Sequence, residues 1–255
     1  MPLAPQYCSP APPLHLLLLK KMQTSITIKK NASGETYGNN LQAKQLGYEA
    51  ELVLAVGEDG TTGYVRTSDL NGEVPSSPEE AYALQEERSE KGDTERYIPL
   101  YKNDGETIIG RFKINFDPTD TPVNSTYSVS AKNQYSYSNP HNIDTPGFSY
   151  SGYSGIIDIF GGVEGKTLIK TRNNVSVPVG YMGVKVRIYR AKDGALVRES
   201  DWYYNKQQVN SFEKTARYIV GGRNEYYSEG LTREWNRDIS QYWTHQMLKT
   251  PYVET

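Results

Sequence analysis

The chain has 255 residues, of which 36% are hydrophobic, and a formal charge of -2 from 28 basic and 30 acidic residues. That length suits one large all-β domain or two small ones, and the balanced charge, with no long block of either sign, excludes a basic nucleic-acid groove and a polybasic membrane patch. A single cysteine, Cys8, excludes a disulfide framework and a cysteine-based zinc site, which fits an exported bacterial chain better than a eukaryotic disulfide scaffold.

Residues 1–21 read as a disordered leader or a misplaced start. The apolar run Leu14-His15-Leu16-Leu17-Leu18-Leu19 is short, and Lys20 and Lys21 follow it where a secretory signal places its basic residues first. It is too short to be a transmembrane segment. Met22 is an alternative beginning. Residues 22–116 read as a β-rich domain with one helix. Met22–Lys30 alternates polar and apolar as a half-buried strand does, Leu52–Val56 is an apolar strand, Gly57–Gly60 is a turn, and Gly63–Arg66 begins another strand. Ser77-Pro78-Glu79-Glu80 predicts the start of a helix over 78–91: serine at the N-cap, proline at the first helical position, and Glu80 placed to close a capping box. Ala81, Leu84 and Arg88 share one face of it, and Gly92 stops it. Arg96–Tyr101 and Thr107–Phe116 then read as strands joined through the Asp104-Gly105 turn.

Residues 117–150, poor in aliphatics, read as a polar linker or an exposed edge segment with strand-like Ser-Tyr alternation at Tyr135–Ser138 and Ser149–Ser154. Residues 151–255 read as an antiparallel β-sandwich. Its predicted strands are Ile156–Phe160, Thr167–Thr171, Val184–Arg190, Ala195–Tyr203, Arg217–Val220 and Tyr226–Thr232, with turns at Lys192-Asp193-Gly194 and Gly221-Gly222. The fold class expected is therefore mainly β: a C-terminal sandwich behind a β-rich N-terminal part carrying one helix. From Tyr127 onward the chain holds 14 of its 21 tyrosines and all three tryptophans, so rings must do part of the core filling that aliphatics do elsewhere.

The stretches GYVRTSDL, PSSPEEAYALQEER and IPLYKNDGETIIGRFKI, within Gly63–Ile114, resemble uncharacterised secreted proteins of bacilli and actinobacteria of the YolA and YrpD type. VPVGYMGVKVRIYRAKDGALVRESDWYYN and EYYSEGLTREWN, in the second half, are similar to their C-terminal region. The resemblance covers most of residues 45–250. It implies an extracellular address and a β architecture, and no established activity. Family members start with an intact signal peptide, and residues 1–21 do not read as one. Some relatives carry a BlaR1-type peptidase label, and the chemistry here does not support it. That site needs two histidines one helical turn apart with a glutamate base, whereas His15, His141 and His245 stand alone.

Nucleophilic catalysis finds no footing either: there is no Gly-x-Ser-x-Gly elbow, and Gly152-Tyr153-Ser154-Gly155 has the wrong spacing. Glu164, Asp158, Glu225, Glu229, Glu234 and Asp238 lie among aromatics, but the sequence pairs no two of them as a glycosidase requires. Asp117-Pro-Thr-Asp120 and Asn103–Glu106 have too few oxygen ligands for a calcium loop. The Asn-x-Ser/Thr triplets at Asn31, Asn124 and Asn174 carry little weight in so Asn- and Ser-rich a chain. No catalytic residue, metal or cofactor is expected.

The aromatic clusters point to binding. Trp202, Tyr204, Tyr226, Tyr227, Trp235 and Trp243 are the candidate ligand-contacting residues, with Trp202 and Tyr204 on one strand face and Tyr203 on the other. The competing account makes all these rings core or edge packing. The function expected is a secreted, non-catalytic interaction protein, its partner a glycan or cell-surface component. An antibacterial or pore-forming factor using Tyr127–Gly155, and a glycan-active hydrolase, are the alternatives.

Overall fold

The computed structural model describes residues 27–116, 134–220 and 222–255. The readings of residues 1–21 (with Cys8 and His15), Met22–Ile26, Asp117–Asp120, Asn124, Tyr127 and Gly221 lie outside the described residues, as does the linker up to residue 133.

The N-terminal part forms β1 (Lys29–Lys30), β2 (Thr36–Gly38), helix α1 (Asn40–Gln45), β3 (Leu52–Val56), β4 (Thr62–Arg66), helix α2 (Thr67–Asn71), helix α3 (Pro78–Lys91), β5 (Glu95–Tyr101) and β6 (Ile108–Asn115). There follow β7 (Ser136–Tyr137), β8 (His141–Ile143), β9 (Tyr150–Ile159), β10 (Gly162–Thr171), β11 (Met182–Lys185), β12 (Arg187–Arg190) and β13 (Leu196–Ser200). The chain ends with β14 (Tyr203–Tyr204), β15 (Ser211–Ile219), β16 (Glu225–Ser228), β17 (Leu231–Asn236), β18 (Gln241–Gln246) and β19 (Val253–Glu254). The protein is mainly β, as its turn spacing predicts. Among the described residues no helix is long and apolar enough to cross a membrane.

Local chemistry accounts for the one long helix among the described residues. Ser77 Oγ accepts from the Glu80 N–H at 3.1 Å, Pro78 occupies the first turn, and Gly92 closes the helix in the left-handed conformation. The capping box does not close as the sequence predicts. Glu80 reaches past Ser77 to accept from the Ser76 N–H at 2.6 Å and from the Ser76 hydroxyl. The shorter helices α1 and α2 carry no comparable sequence signal, and α2 lacks a side-chain cap altogether.

Three sheets result. The largest runs β1-β2-β3-β4-β5-β6-β13-β12-β16-β19. In it β13 pairs in parallel with β6, Glu199 against Ile114, and also with β3, Leu196 against Ala55. Strands β3 to β6 and β13 thus form a closed ring, and segments 22–116 and 151–255 share one hydrogen-bonded sheet. Val53, Val65, Leu100, Phe112, Ile114 and Leu196 fill the ring together with the stacked Tyr189 and Tyr227.

The second sheet, β15-β10-β9-β7 with β8 also on β9, is one layer of the C-terminal sandwich. The opposing layer is the four-stranded sheet β14-β11-β17-β18 together with β12, β13 and β16 of the large sheet. Tyr150 and Ile169 meet Met182 and Val184 at one end, while Ile156 and Val163 meet Ile188 and Tyr226 at the other. Three strands predicted as continuous are broken where the chain leaves one sheet for the other: at Val186, at Asp201–Trp202 and at Glu229–Gly230. The bend brings the layers close. A Cβ on Gly230 would lie 2.8 Å from the Lys185 carbonyl oxygen, so only glycine fits that corner.

At the same bend lies a buried ionic network. Glu199, wholly buried, accepts from Lys185 Nζ at 2.7 Å and from Arg187 Nε at 2.6 Å. Removing a buried anion strands two buried cations. Glu199→Gln is expected to cost about 3–5 kcal/mol of unfolding free energy, read as a lower urea midpoint at unchanged slope; a loss under about 1 kcal/mol would deny the network this role.

A candidate binding cleft beside helix α3

Helix α3 lies on the outer face of the four-stranded sheet, and a cleft of about 220 Å³ opens between them. Antiparallel register decides which side chains face the helix. Gly183 stands opposite Tyr204 and Arg233, and Glu234 opposite Trp243, so Tyr204 and Arg233 point to the helix side and Glu234 to the sandwich interior. On the helix side Ala81 packs with Trp202, Tyr204, Leu231, Trp235 and Tyr242. Gln85 fixes the contact: its side-chain N–H donates to the Tyr204 carbonyl at 3.1 Å, and its oxygen accepts from the Tyr204 N–H at 2.8 Å. The amide thereby pairs the edge of β14 as a neighbouring strand would.

The lining combines Ala81, Leu84, Gln85 and Arg88 of α3, Arg96 of β5, Asn71 at the end of α2, Gly72, Glu73 and Pro75 of the loop between α2 and α3, and Asp201, Trp202 and Tyr204. Asp201 is the electrostatic centre. Its Oδ2 accepts from Arg88 and, at 3.2 Å, from Arg96 Nε, and its Oδ1 accepts from the Trp202 N–H at 2.8 Å. Burial pushes the Asp201 carboxyl up, but Lys185, Arg88 and Arg96 outweigh it and hold the group below its usual range. Arg96 also donates to the carbonyls of Asp69, at 3.1 Å, and Leu70, at 3.4 Å, at the end of α2. Behind the rings, the Arg233 guanidinium lies 3.9 Å from the centre of Trp202 and donates to the Tyr204 hydroxyl at 2.9 Å.

The six candidate aromatics do not form one surface. Trp202 and Tyr204 line the cleft, and Trp235 packs behind them through Tyr242. Tyr226 sits in the sandwich core, and Tyr227 stacks on Tyr189 at 5.1 Å in the ring core. Trp243 is half-exposed on β18, away from the cleft lining. The division of Trp202 and Tyr204 from Tyr203 follows the alternation read from sequence. The sequence missed Arg88, Arg96, Asp201 and Gln85 as site residues. Only the position of Arg88 on the apolar face of the predicted helix hinted at any of them.

The remaining titratable candidates sit in separate settings. Glu164 accepts from Arg217 Nε at 2.5 Å, Glu229 pairs with Lys44 beside α1, and Glu225 and Asp238 are exposed. Asp158 is half-buried on β9. His141 Nδ1 donates to the Gln246 carbonyl at 2.9 Å, and His245 packs edge-on to Tyr150 at 6.2 Å. Burial, with His141 nearby, lowers the His245 pKa. Among the described residues no three His, Cys, Asp or Glu side chains gather as metal ligands. No protein-family model matches the chain, and no curated protein or solved structure matches it.

Glu234, wholly buried between the layers, is the carboxyl most displaced from its ordinary behaviour. Neither oxygen holds a hydrogen bond of ordinary geometry; burial pushes the carboxyl up to about 7, and Thr145 opposes the shift weakly. The group is therefore neutral in the folded protein over a range in which the unfolded chain ionises it. Its penalty is absent below pH 4.5, grows from there to about pH 7, and is constant above. Glu234→Gln is expected to stabilise the protein by about 2 kcal/mol at pH 8 and by almost nothing at pH 4. Thermal melts at the two pH values check this, and an equal shift at both would refute it.

Proposed function

We propose that the chain is a non-catalytic binding protein of the extracellular space, holding a small ligand from a glycan or another cell-surface component in the cleft beside α3. The observation that carries this reading is the makeup of the cleft. Two ring-bearing residues, two carboxylates, two guanidiniums and two side-chain amides converge on one concavity fixed by a helix and a strand. A volume of about 220 Å³ suits a single sugar-sized unit rather than a long chain lying inside.

The chemistry of the lining favours holding over reacting. The arginines stay protonated at any ordinary pH. Asp201 is held ionised by its cations. Among the described lining residues there is no histidine, cysteine, serine or lysine to serve as base or nucleophile. The paired acids of a glycan hydrolase have no counterpart in this lining, where Asp201 is committed to ion pairs and Glu73 stands on the loop. The extracellular assignment rests on the sequence resemblance and on the near absence of cysteine.

Leu84→Trp fills the cleft from the helix side without touching the Gln85 bridge. Calorimetric titration with mono- and disaccharides and solubilised envelope fragments is expected to show saturable binding to the native chain. The same titration of the variant is expected to lose at least tenfold in affinity, about 1.4 kcal/mol, at unchanged melting temperature. Binding that persists in Leu84→Trp would place the site elsewhere.

A further inference from the structure

We infer that the ligand of this cleft is an anion, a carboxylate- or phosphate-bearing unit of about one sugar ring, and that Arg88 is the group that receives its charge. The inference rests on the cleft being the binding site and deepens that reading. The rings in the wall are already engaged. One cation, Arg233, lies 3.9 Å from the centre of Trp202 and another, Lys185 Nζ, lies 5.5 Å from it. Tyr204 packs between Trp202, at 6.5 Å, and Tyr242, at 5.3 Å. Trp202 and Tyr204 are 6% and 4% exposed, so neither offers the broad free face on which a neutral sugar stacks. Recognition falls to the polar groups.

The cleft wall itself carries two cations, Arg88 and Arg96, and two carboxylates, Asp201 and Glu73, and the excess positive charge lies in the layer directly behind it. Lys185 and Arg187 share Glu199, and Arg88 and Arg96 share one oxygen of Asp201. Arg233 is 2% exposed, and the partners of its guanidinium are the Thr244 and Tyr204 hydroxyls and the Trp202 ring, all neutral. Among the described residues these five cations face four carboxylates, of which Glu199 and Asp201 are buried, and the unmatched charge is that of Arg233. The other two acids lie at the periphery: Glu73 is exposed on the lip, and Glu49, half-exposed, stands 3.7 Å from Arg187. An anion entering the cleft meets a potential that Asp201 and Glu199 leave unsatisfied.

Arg88 is the cation free to respond. Arg96 is tied to Asp201 and to two backbone carbonyls of α2, and Arg233 lies behind the rings. The Arg88 side chain is 40% exposed and, among the described residues, is held by Asp201 alone, with the Phe116 ring 5.9 Å from it. Its planar fork can turn from Asp201 to a ligand carboxylate or phosphate, while Arg96 and the Trp202 N–H keep Asp201 in place.

The test is titration of the full chain at low salt with glucose, glucuronate, glucose 6-phosphate and inorganic phosphate, read by calorimetry and by amide shifts around Arg88 and Trp202. Glucuronate or glucose 6-phosphate is expected to bind about tenfold or more tighter than glucose, consistent with one charged hydrogen-bonding group. That preference is expected to weaken as salt rises. Arg88→Gln is expected to remove the preference and Arg88→Lys to keep part of it. The carboxylate and phosphate arms identify which acid the site prefers, and free phosphate binding as well as the sugar phosphate would show that the ring adds nothing. Glucose bound as tightly as glucuronate, or a preference surviving in Arg88→Gln, overturns the inference and leaves the cleft standing. Failure of every probe to move the amides around the cleft overturns the cleft itself.

Discussion

Glu199 holds the two ends of this chain in one body. Its strand, β13, belongs by sequence to the sandwich, yet one edge of that strand completes the N-terminal ring through β3 and β6. The opposite edge pairs with β12, where Arg187 stands across from Glu199. A slip of one residue in that register would turn the carboxylate to the other face and away from Lys185 and Arg187. Lys185 extends the constraint by donating to the Leu70 carbonyl at the end of α2. That helix is five residues long and has no side-chain cap, so the cations Lys185 and Arg96 at its carbonyl end supply what its own sequence does not. Burial drives the Lys185 ammonium down, to about 8, against the pull of Glu199. Desolvation is thus a real opposing cost, and the gain from such a network is as much in specifying one pairing as in stability.

Around this network tyrosines take the place of aliphatic filler. Tyr189 and Tyr227 stack inside the ring, Tyr218 meets Tyr226 in the sandwich, and Tyr150 spans the two layers to the Thr232 hydroxyl at 2.9 Å. A buried phenol needs a partner for its oxygen. Tyr189 finds one in Asn40 of α1 at 3.1 Å, which draws that short helix onto the ring, whereas the buried Tyr227 hydroxyl has none among the described residues. Aromatic cores of this kind spread polar atoms through the interior, and this is why small helices with weak sequence signals are retained where they dock.

The parts of the fold legible in the sequence are those set by contacts between near neighbours. Helix α3 was marked by Ser77, Pro78 and Gly92. The hairpins at Asp104-Gly105 and Asp193-Gly194 were marked by glycines that adopt positive φ, 76° and 69°. The alternation of Trp202, Tyr203 and Tyr204 gave the correct faces. What was not legible is set by distant partners. Nothing around Leu196 announces a parallel pairing with residues 55 and 114, and the strand break at Val186 follows from the layer bending, not from a breaker residue; at Glu229–Gly230 a glycine sits at the bend, but only the opposite layer shows why. The same limit applies to the cleft. Composition pointed to aromatics, but whether a ring is wall or core depends on what the opposite layer presents. Tyr226 and Tyr227 are adjacent to Ser228 and Glu229 in sequence, yet both rings turn into cores supplied by other strands.

The cleft follows from one side-chain amide. Gln85 satisfies both backbone groups of Tyr204 on the edge strand β14, so α3 cannot slide along the sheet without breaking two buried hydrogen bonds. Arg88 lies three residues further along the same helix face and therefore reaches Asp201 just beyond the start of that strand. Asp201 in turn occupies the break between β13 and β14, where the chain leaves the large sheet two residues after Glu199. The anion that closes the ring and the anion that centres the cleft thus sit on one short segment, Glu199–Asp201, with Lys185 donating to the first and within electrostatic reach of the second. A change in charge at the cleft is therefore felt, through Lys185, by the network that joins the two halves.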